Sequence, residues 1–203
     1  MIALDIHQLT SHERAKLLKG VIVPRPIVFI TSLSESGVLN GAPFSYFSLL
    51  STEPPLISVS IQRSETGELK DSSRNILQQK AFVVHVVDET NIQQVNATAA
   101  HLPPDISEID LVGFTTVDSL QISVSGIAEA KVRLECILEQ SLPLGDETKP
   151  SCDLIIARIV QCHIDEKVYQ QGCIDTTVLA PIGKLAGNNY TKLGQLFQIQ
   201  RPT

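Results

Sequence analysis

The sequence lacks several features that would place it in a class at once. Its longest apolar runs are only as long as a β-strand, so no segment is expected to span a membrane. Its first residues have neither a basic start nor a long apolar stretch, so no signal peptide is expected and a cytoplasmic location is predicted. Positive charge is not in excess: the net charge is -6, which argues against a nucleic acid or an anionic membrane as the main partner.

The cysteine and glycine patterns argue against a disulfide framework, a metal site and a dinucleotide-binding domain. The four cysteines form no Cys-x-x-Cys pair and each lies in or beside an apolar run, which favours buried reduced thiols over a disulfide framework or a metal site. Cys162 and His163 are adjacent, but neighbours on a strand point to opposite faces and are poorly placed to share a metal ion. No Gly-x-Gly-x-x-Gly motif is present, so no dedicated dinucleotide-binding domain is predicted.

The composition is that of one globular domain. The chain has 203 residues, of which 43% are hydrophobic and 19% are charged, enough for a sizeable core. No internal repeat, low-complexity tract or linker divides it. We therefore predict a single domain over residues 1–203, with a C-terminal tail from about residue 179.

Strand patterns outnumber helical patterns along the chain. Many strands with few helices predict a mainly β fold, and a closed antiparallel sheet is favoured because closure removes exposed strand edges. A turn is predicted at residues 142–146, between the last two strands. The predicted strands occupy residues 27–32, 56–61, 81–87, 127–139 and 152–164. The predicted helices occupy residues 9–20 with Ser11 as N-cap, 74–80 after a cap at Asp71 or Ser72, 91–100 and 109–114.

Residues 40–63 combine features of a ligand platform. Asn40 and Gly41 are a turn signal, and the four residues from 45 to 48 alternate hydroxyl and aromatic side chains. The strand that follows ends at Arg63, and the helix after Lys70 offers unpaired N–H groups at its start. These features suit an anionic ligand, although a surface helix with an ordinary cap is about equally consistent with the helix start alone.

Two other features have a structural interpretation. His85 is the single polar residue in an apolar strand, which favours a hydrogen-bonded core or interface histidine over a catalytic acid or base. Residues 179–190 are too irregular for a strand and too apolar for a free end. We therefore expect the tail to dock over a pocket or over a partner subunit.

Several short segments occur together in a specific order, and they resemble the flavin reductase-like, FMN-binding split-barrel family over most of the chain. The family's usual Asn, Thr and Arg are replaced here by His85, Ser72 and Lys184, and its paired glycines by Ala186-Gly187. The segments that carry the resemblance are Pro24-Arg25-Pro26-Ile27, residues 40–47, Glu53-Pro54-Pro55-Leu56, Lys70-Asp71-Ser72, Asn75-Ile76, Phe82-Val83-Val84, residues 96–100, Arg133-Leu134-Glu135-Cys136 and residues 183–190.

The resemblance implies a split β-barrel that binds FMN. The flavin ring would be held largely by backbone groups of residues 44–48, and the phosphate would lie at the end of the next strand and the start of the helix. Cations, hydroxyls and helix N–H groups are suitable partners for a phosphate. The implied cofactor-binding residues are Thr31, Ser32, Phe44, Ser45, Tyr46, Phe47, Ser48, Arg63, Lys70, Ser72 and Tyr190.

The implied activity is that of an FMN-dependent oxidoreductase. NADH or NADPH would donate a hydride to the bound flavin, which would reduce a second flavin, a quinone-like acceptor or a partner protein such as a monooxygenase. No catalytic side chain is required because the cofactor carries the chemistry. A homodimer is also implied. Two alternatives remain: an FMN-binding electron carrier or flavin store without nicotinamide turnover, and a barrel that has lost flavin and serves as an interaction module.

Overall fold

The computed structural model describes residues 1–100, 102–103 and 105–202, and it is mainly β with a few short helices. Among these residues, none of the helices has the length and apolarity needed to cross a membrane. The helices are α1 (Ser11–Val21), α2 (Asp71–Gln79), α3 (Ile92–Ala97), α4 (Glu108–Val112) and α5 (Thr176–Leu179). The strands are β1 (Arg25–Pro26), β2 (Val28–Leu33), β3 (Leu39–Phe44), β4 (Phe47–Thr52), β5 (Pro55–Gln62), β6 (Ala81–Val86), β7 (Thr116–Val117), β8 (Gly126–Ile127), β9 (Val132–Gly145), β10 (Pro150–Ile164), β11 (Tyr169–Gln170), β12 (Cys173–Ile174), β13 (Gly183–Lys184) and β14 (Tyr190–Thr191).

One antiparallel sheet of seven strands organises the domain. Its order is β3-β2-β6-β9-β10-β5-β4, so β3 and β4 are the two ends of the ladder. Only Ser45 and Tyr46 separate these two strands along the chain. One extended segment therefore pairs with β2 through its first half and with β5 through its second. The prediction of a mainly β, antiparallel fold is confirmed, and full closure of the sheet stays a prediction.

The apolar runs of the central strands are continuous because both faces of the sheet are covered. In β2, Val28 and Ile30 join the core on one face, which includes Phe82 and Ile76 of α2. Phe29, between them, joins a second cluster on the other face. Each fully buried aliphatic or aromatic side chain of this kind stabilises the fold by roughly 1.5–3 kcal/mol.

The prediction of a turn at residues 40–41 is wrong, because both residues lie inside β3. A Cβ atom at Gly41 would lie 2.5 Å from Cδ1 of Ile109 and 2.5 Å from Cζ of Phe29. The glycine is required there for close packing. The hairpin between β2 and β3 turns instead at Gly37, where φ is 86°.

The strand β9 runs through the turn that was predicted at residues 142–146. Its residues 142 and 144 pair with Leu154 and Cys152 of β10, and the turn follows at Asp146 and Lys149. β6 pairs with β9 only as far as Ile137. Beyond that point β9 is an edge strand on the β6 side, where the N–H that Pro143 lacks is not needed for strand pairing.

Smaller corrections concern helix starts, the tail and the cysteines. Thr10, not Ser11, caps α1 through a capping box with Glu13, and α2 begins at Asp71 after an N-cap at Lys70 that makes no side-chain hydrogen bond. The tail is not wholly irregular, since β13 and β14 pair with each other and β13 pairs with β1. The prediction of buried thiols holds for Cys136 only, since Cys152 is half-buried and Cys162 and Cys173 are exposed.

Candidate functional site

A cleft of about 290 Å³ forms where the bend between β3 and β4 meets the start of α2 and the tail. The bend contributes Phe44, Ser45 and Tyr46, and Lys70 stands at the N-cap of α2. The tail contributes Lys184 from β13 and the loop that follows it. The sheet topology brings these segments together, because the bend lies outside both ladders and faces the end of β5.

The cleft is strongly cationic. Lys19, Arg25, Lys70 and Lys184 line it, and no carboxylate lies among the described residues of its wall. The whole chain carries a net charge of -6, so this concentration of positive charge is local. A wall of cations without counter-ions favours a bound anion.

Arg25 holds three parts of the cleft wall in place. Its guanidinium donates to the carbonyl oxygens of Lys19 (2.9 Å) and Ile22 (2.6 Å) at the end of α1, to that of Leu185 in the tail (3.0 Å), and weakly to Oγ of Ser45 (3.4 Å). The residue is only 7% exposed. Arg25 was predicted only as part of the Pro24-Arg25-Pro26-Ile27 segment that carries the family resemblance, although a lone arginine between two prolines was a visible signal.

A largely apolar groove of about 460 Å³ adjoins the cationic cleft and shares Lys19, Arg25, Ser45 and Tyr46 with it. Its other lining residues come from the end of α1, from β1 and from the start of β4. The apolar members are Leu18, Ile22, Pro24, Pro26 and Phe47. Lys70 and Lys184 line only the cleft, so the cleft is the more cationic of the two cavities and the groove the more apolar.

Tyr190 faces a different pocket from the cationic cleft. Its hydroxyl donates to Oδ1 of Asn96 (2.7 Å), and the pocket of about 270 Å³ that it lines also includes Ile92. The Lys184 ammonium lies 3.7 Å from the centroid of the Tyr190 ring, a cation–π contact that separates the two cavities. Ser48, another predicted site residue, is exposed on β4 opposite Ser58 and does not line the cleft.

Arg63 does not line the cleft either. Its Nε and Nη2 donate to the carboxylate of Asp153 at 2.6–3.2 Å, and Nη1 donates to the carbonyl of Gly67 at 3.2 Å. The Asp153 side chain is only 2% exposed. Pairing with this carboxylate raises the pKa of Arg63, so the guanidinium is fully charged and engaged with Asp153.

The predicted hydroxyl partners Thr31, Ser32 and Ser72 are buried. Thr31 donates to the carbonyl of Ser125 (2.7 Å), and the Ser32 and Ser72 hydroxyls both donate to Oδ1 of Asn40 (3.3 and 2.9 Å). The amide of Asn40 in turn donates to both oxygens of Glu108 (3.0 and 2.9 Å). Burial raises the pKa of Glu108, against the hydrogen bond from the backbone of residue 41. This network fixes the start of α2 to β2 and β3.

His85 is a satisfied core residue, as the sequence predicts. Nδ1 donates to the carbonyl of Phe29 (3.0 Å), and Nε2 accepts from the N–H of Ile127 (3.0 Å). Burial lowers its pKa to about 3. A neutral imidazole with no free nitrogen has no proton to exchange with a ligand in the cleft.

Comparisons with known proteins agree with this fold. The sequence model of the family described as "Flavin reductase like domain" matches residues 20–179. An uncharacterized protein of Bacillus subtilis is 45% identical over 206 residues, covering 100% of both chains. The crystal structure of nitrilotriacetate monooxygenase component B from Bacillus cereus superposes with a TM-score of 0.96 at 48% identity, covering 98% of each chain.

A more distant structure supports the architecture alone. A protein with a split barrel domain from Shewanella frigidimarina has a TM-score of 0.84 at 19% identity and covers 97% of this chain and 96% of its own. The family match, the identities and the seven-stranded sheet point to one assignment. The chain belongs to the flavin reductase like domain family and has the split-barrel fold of its structural neighbours.

Proposed function

We propose that the protein is an FMN-dependent oxidoreductase that accepts a hydride from NADH or NADPH and passes the electrons to a flavin, a quinone-like molecule or a partner protein. One observation supports this most strongly: the cationic cleft adjoins an apolar groove at the Ser45–Tyr46 bend. FMN has a phosphate at one end and a flat heterocycle at the other, and both ends find suitable partners there. When bound, FMN supplies the hydride and electron transfer.

Lys70 is the proposed phosphate contact. It is exposed, lines the cleft and makes no ion pair with the described residues. Lys19 and Lys184 lie on the same wall and can add to the attraction. In this arrangement Arg63 and Ser72 act indirectly, since Arg63 fixes the end of β5 through Asp153 and Ser72 fixes the start of α2 through Asn40.

The bend between β3 and β4 is the proposed contact for the ring. We infer that the sheet closes into a barrel there, because the two end strands are consecutive in the chain and the Ser60 N–H donates to the carbonyl of Tyr46 at 2.8 Å. Closure would leave the backbone of the bend outside the regular ladders. Apart from the Tyr46 carbonyl, the backbone groups of Ser45 and Tyr46 are then available to a ligand rather than to a neighbouring strand.

A homodimer is proposed from exposed apolar surface. Leu49 and Leu50 on β4 are 59% and 50% exposed, and Ile22 in the apolar groove is 59% exposed. Phe197 and Ile199 in the tail are 78% and 81% exposed. Exposed apolar patches of this kind mark interaction surfaces. The Bacillus cereus neighbour is named as a monooxygenase component, which supports a monooxygenase as an electron-accepting partner here.

The proposal is tested by the absorption spectrum of the purified protein with FMN under anaerobic conditions, before and after addition of NADH or NADPH. We expect the visible flavin band to disappear with at least one nucleotide, and nucleotide oxidation to continue when free FMN is added in air. A protein that holds FMN but is reduced by neither nucleotide would be an electron carrier or flavin store. A protein that binds no FMN would contradict the proposal entirely.

A further inference from the structure

A second cleft, of about 650 Å³, lies where the start of β9 meets the end of β10. Its wall includes Arg133 and Lys131 of the β9 region and His163 of β10. None of the residues predicted for FMN lines it. It therefore requires an explanation separate from the flavin cleft.

Arg133 is the unusual residue of this second cleft. Its guanidinium makes one hydrogen bond, to the carbonyl of Ile127 at 3.3 Å, and no carboxylate of the described chain lies within ion-pair distance of it. Burial lowers the pKa of Arg133, and Glu135 opposes that effect. A partly buried arginine normally gains a carboxylate partner, because a guanidinium offers five N–H donors in a planar fork.

Glu135 is the carboxylate whose charge acts on Arg133, but it already accepts three other hydrogen bonds. It accepts from the N–H groups of Leu120 and Gln121 (2.7 Å each) and from Nε2 of His163 (2.6 Å). Burial raises its pKa, but these hydrogen bonds hold the pKa below its ordinary value. The Glu135 carboxylate is thus ionised and hydrogen-bonded to donors other than Arg133. Its bond to Nε2 also fixes the ring of His163, which pairs with Arg133 across the strands.

The register of the sheet fixes the position of Arg133 in the second cleft. It pairs with His85 on β6 and with His163 on β10, so the three side chains form a row across the sheet. A Cβ atom at Gly126 would lie 3.2 Å from Cδ of Arg133 and 3.0 Å from Nε2 of His85. The missing side chain at Gly126 leaves room for the arginine stem.

We propose that this second cleft binds a small organic acid, with one carboxylate held by Arg133 and with His163 beside it. Glu129 and Asp165 also line the cleft and balance the charges of Arg133 and Lys131, so the wall has no excess positive charge to hold a polyanion. A carboxylate supplies the planar pair of acceptors that a guanidinium fork matches. The ligand class is therefore a monocarboxylate rather than a nucleotide or a polyphosphate.

The test is a titration of the full-length protein with sodium acetate, followed by NMR of the arginine side-chain Nε–H signals, with sodium chloride at equal ionic strength as reference. We expect the Arg133 signal to move saturably, with a dissociation constant on the order of 10 mM. Because this measurement uses the wild-type protein, it does not depend on any variant folding. An Arg133 signal that moves no more in acetate than in chloride would overturn the proposal.

Two variants test whether acetate binds at Arg133. Arg133→Met keeps the stem over Gly126 and should weaken acetate binding, followed at His163, by at least about tenfold. Arg158→Met removes an arginine of the neighbouring strand β10, one that is paired with Glu139, and should leave acetate binding unchanged. Equal weakening by both variants, or unchanged binding in Arg133→Met, would show that acetate binds elsewhere. FMN binding is measured separately, so this result does not depend on the flavin proposal.

Discussion

At the scale of single residues, the buried imidazole of His85 links protonation to stability. Its Nε2 accepts a hydrogen bond from the Ile127 N–H, and protonation would place two donors against each other. Burial lowers its pKa from 6.5 to about 3, so between these values the unfolded chain binds the proton and the folded chain does not. The free energy of unfolding must then fall as the pH falls below 6.5.

We predict that this one group lowers the free energy of unfolding by about 1.4 kcal/mol for each pH unit below 6.5. His85→Gln should flatten the slope between pH 6.5 and 5, whatever its effect on stability at pH 7. Urea unfolding at a series of pH values measures this slope. His7→Gln, which removes an exposed histidine, serves as the control, and equal slopes in the two variants would show that His85 does not titrate as described.

Individual residues also show what sequence patterns can and cannot reveal. The role of His85 was predictable because a lone polar residue in an apolar strand must find partners inside the core. Gly41 was misinterpreted because the sequence alone does not distinguish a glycine that allows close packing from a glycine that allows a turn. The role of Arg25 depends in part on the carbonyl of Leu185, 160 residues away in the tail, which no local pattern contains.

At the scale of elements, the Arg63–Asp153 pair fastens the end of β5 to β10. Asp153 pairs with Ile61 across the two strands, and its carboxylate is almost completely buried. A buried carboxylate that loses its partner typically costs 3–5 kcal/mol. We therefore expect Arg63→Ala to lower the free energy of unfolding, because it leaves the buried Asp153 carboxylate without its partner.

A double variant separates this structural role from a direct role in flavin binding. Asp153→Asn added to Arg63→Ala removes the unpaired charge and should restore part of the lost stability, as measured by thermal or urea unfolding. Both variants should keep the wild-type ratio of FMN to riboflavin affinity. A selective loss of FMN affinity in Arg63→Ala, with stability unchanged, would instead place Arg63 on the phosphate.

The elements themselves were largely predictable, and their ends were not. Nearly continuous apolar runs identify β2 and β6, because both faces of these strands are buried, whereas alternation of buried and less buried residues identifies β5 and β10. The length of β9 could not be predicted, because its last residues are held by pairing with β10 and not by their own composition. In the same way, the short strands of the tail exist only because β1 offers them an edge.

At the scale of the whole molecule, the exposed apolar surface of β4 and the tail leads to a prediction about assembly. We expect a homodimer that buries more than about 2,000 Å² in total. Sedimentation velocity at micromolar concentration measures the mass directly. Leu50→Glu, which places a charge on the exposed β4 face, should shift the mass toward the monomer, whereas Ile106→Glu, at an exposed apolar residue outside this surface, should not. A monomeric wild-type protein with FMN bound would contradict the prediction.

The central claim is that the cationic cleft at the Ser45–Tyr46 bend binds FMN, with Lys70 at its phosphate. The most direct test compares FMN with riboflavin, which lacks the phosphate, in the wild-type protein, in Lys70→Ala and in Lys16→Ala, a control at an exposed lysine of α1. A hydrogen bond to a charged group contributes about 1.5–3 kcal/mol. Lys70→Ala should therefore weaken FMN by roughly 10- to 100-fold and leave riboflavin affinity unchanged. Wild-type affinity for FMN in Lys70→Ala, or an equal loss of FMN and riboflavin, would place the phosphate elsewhere.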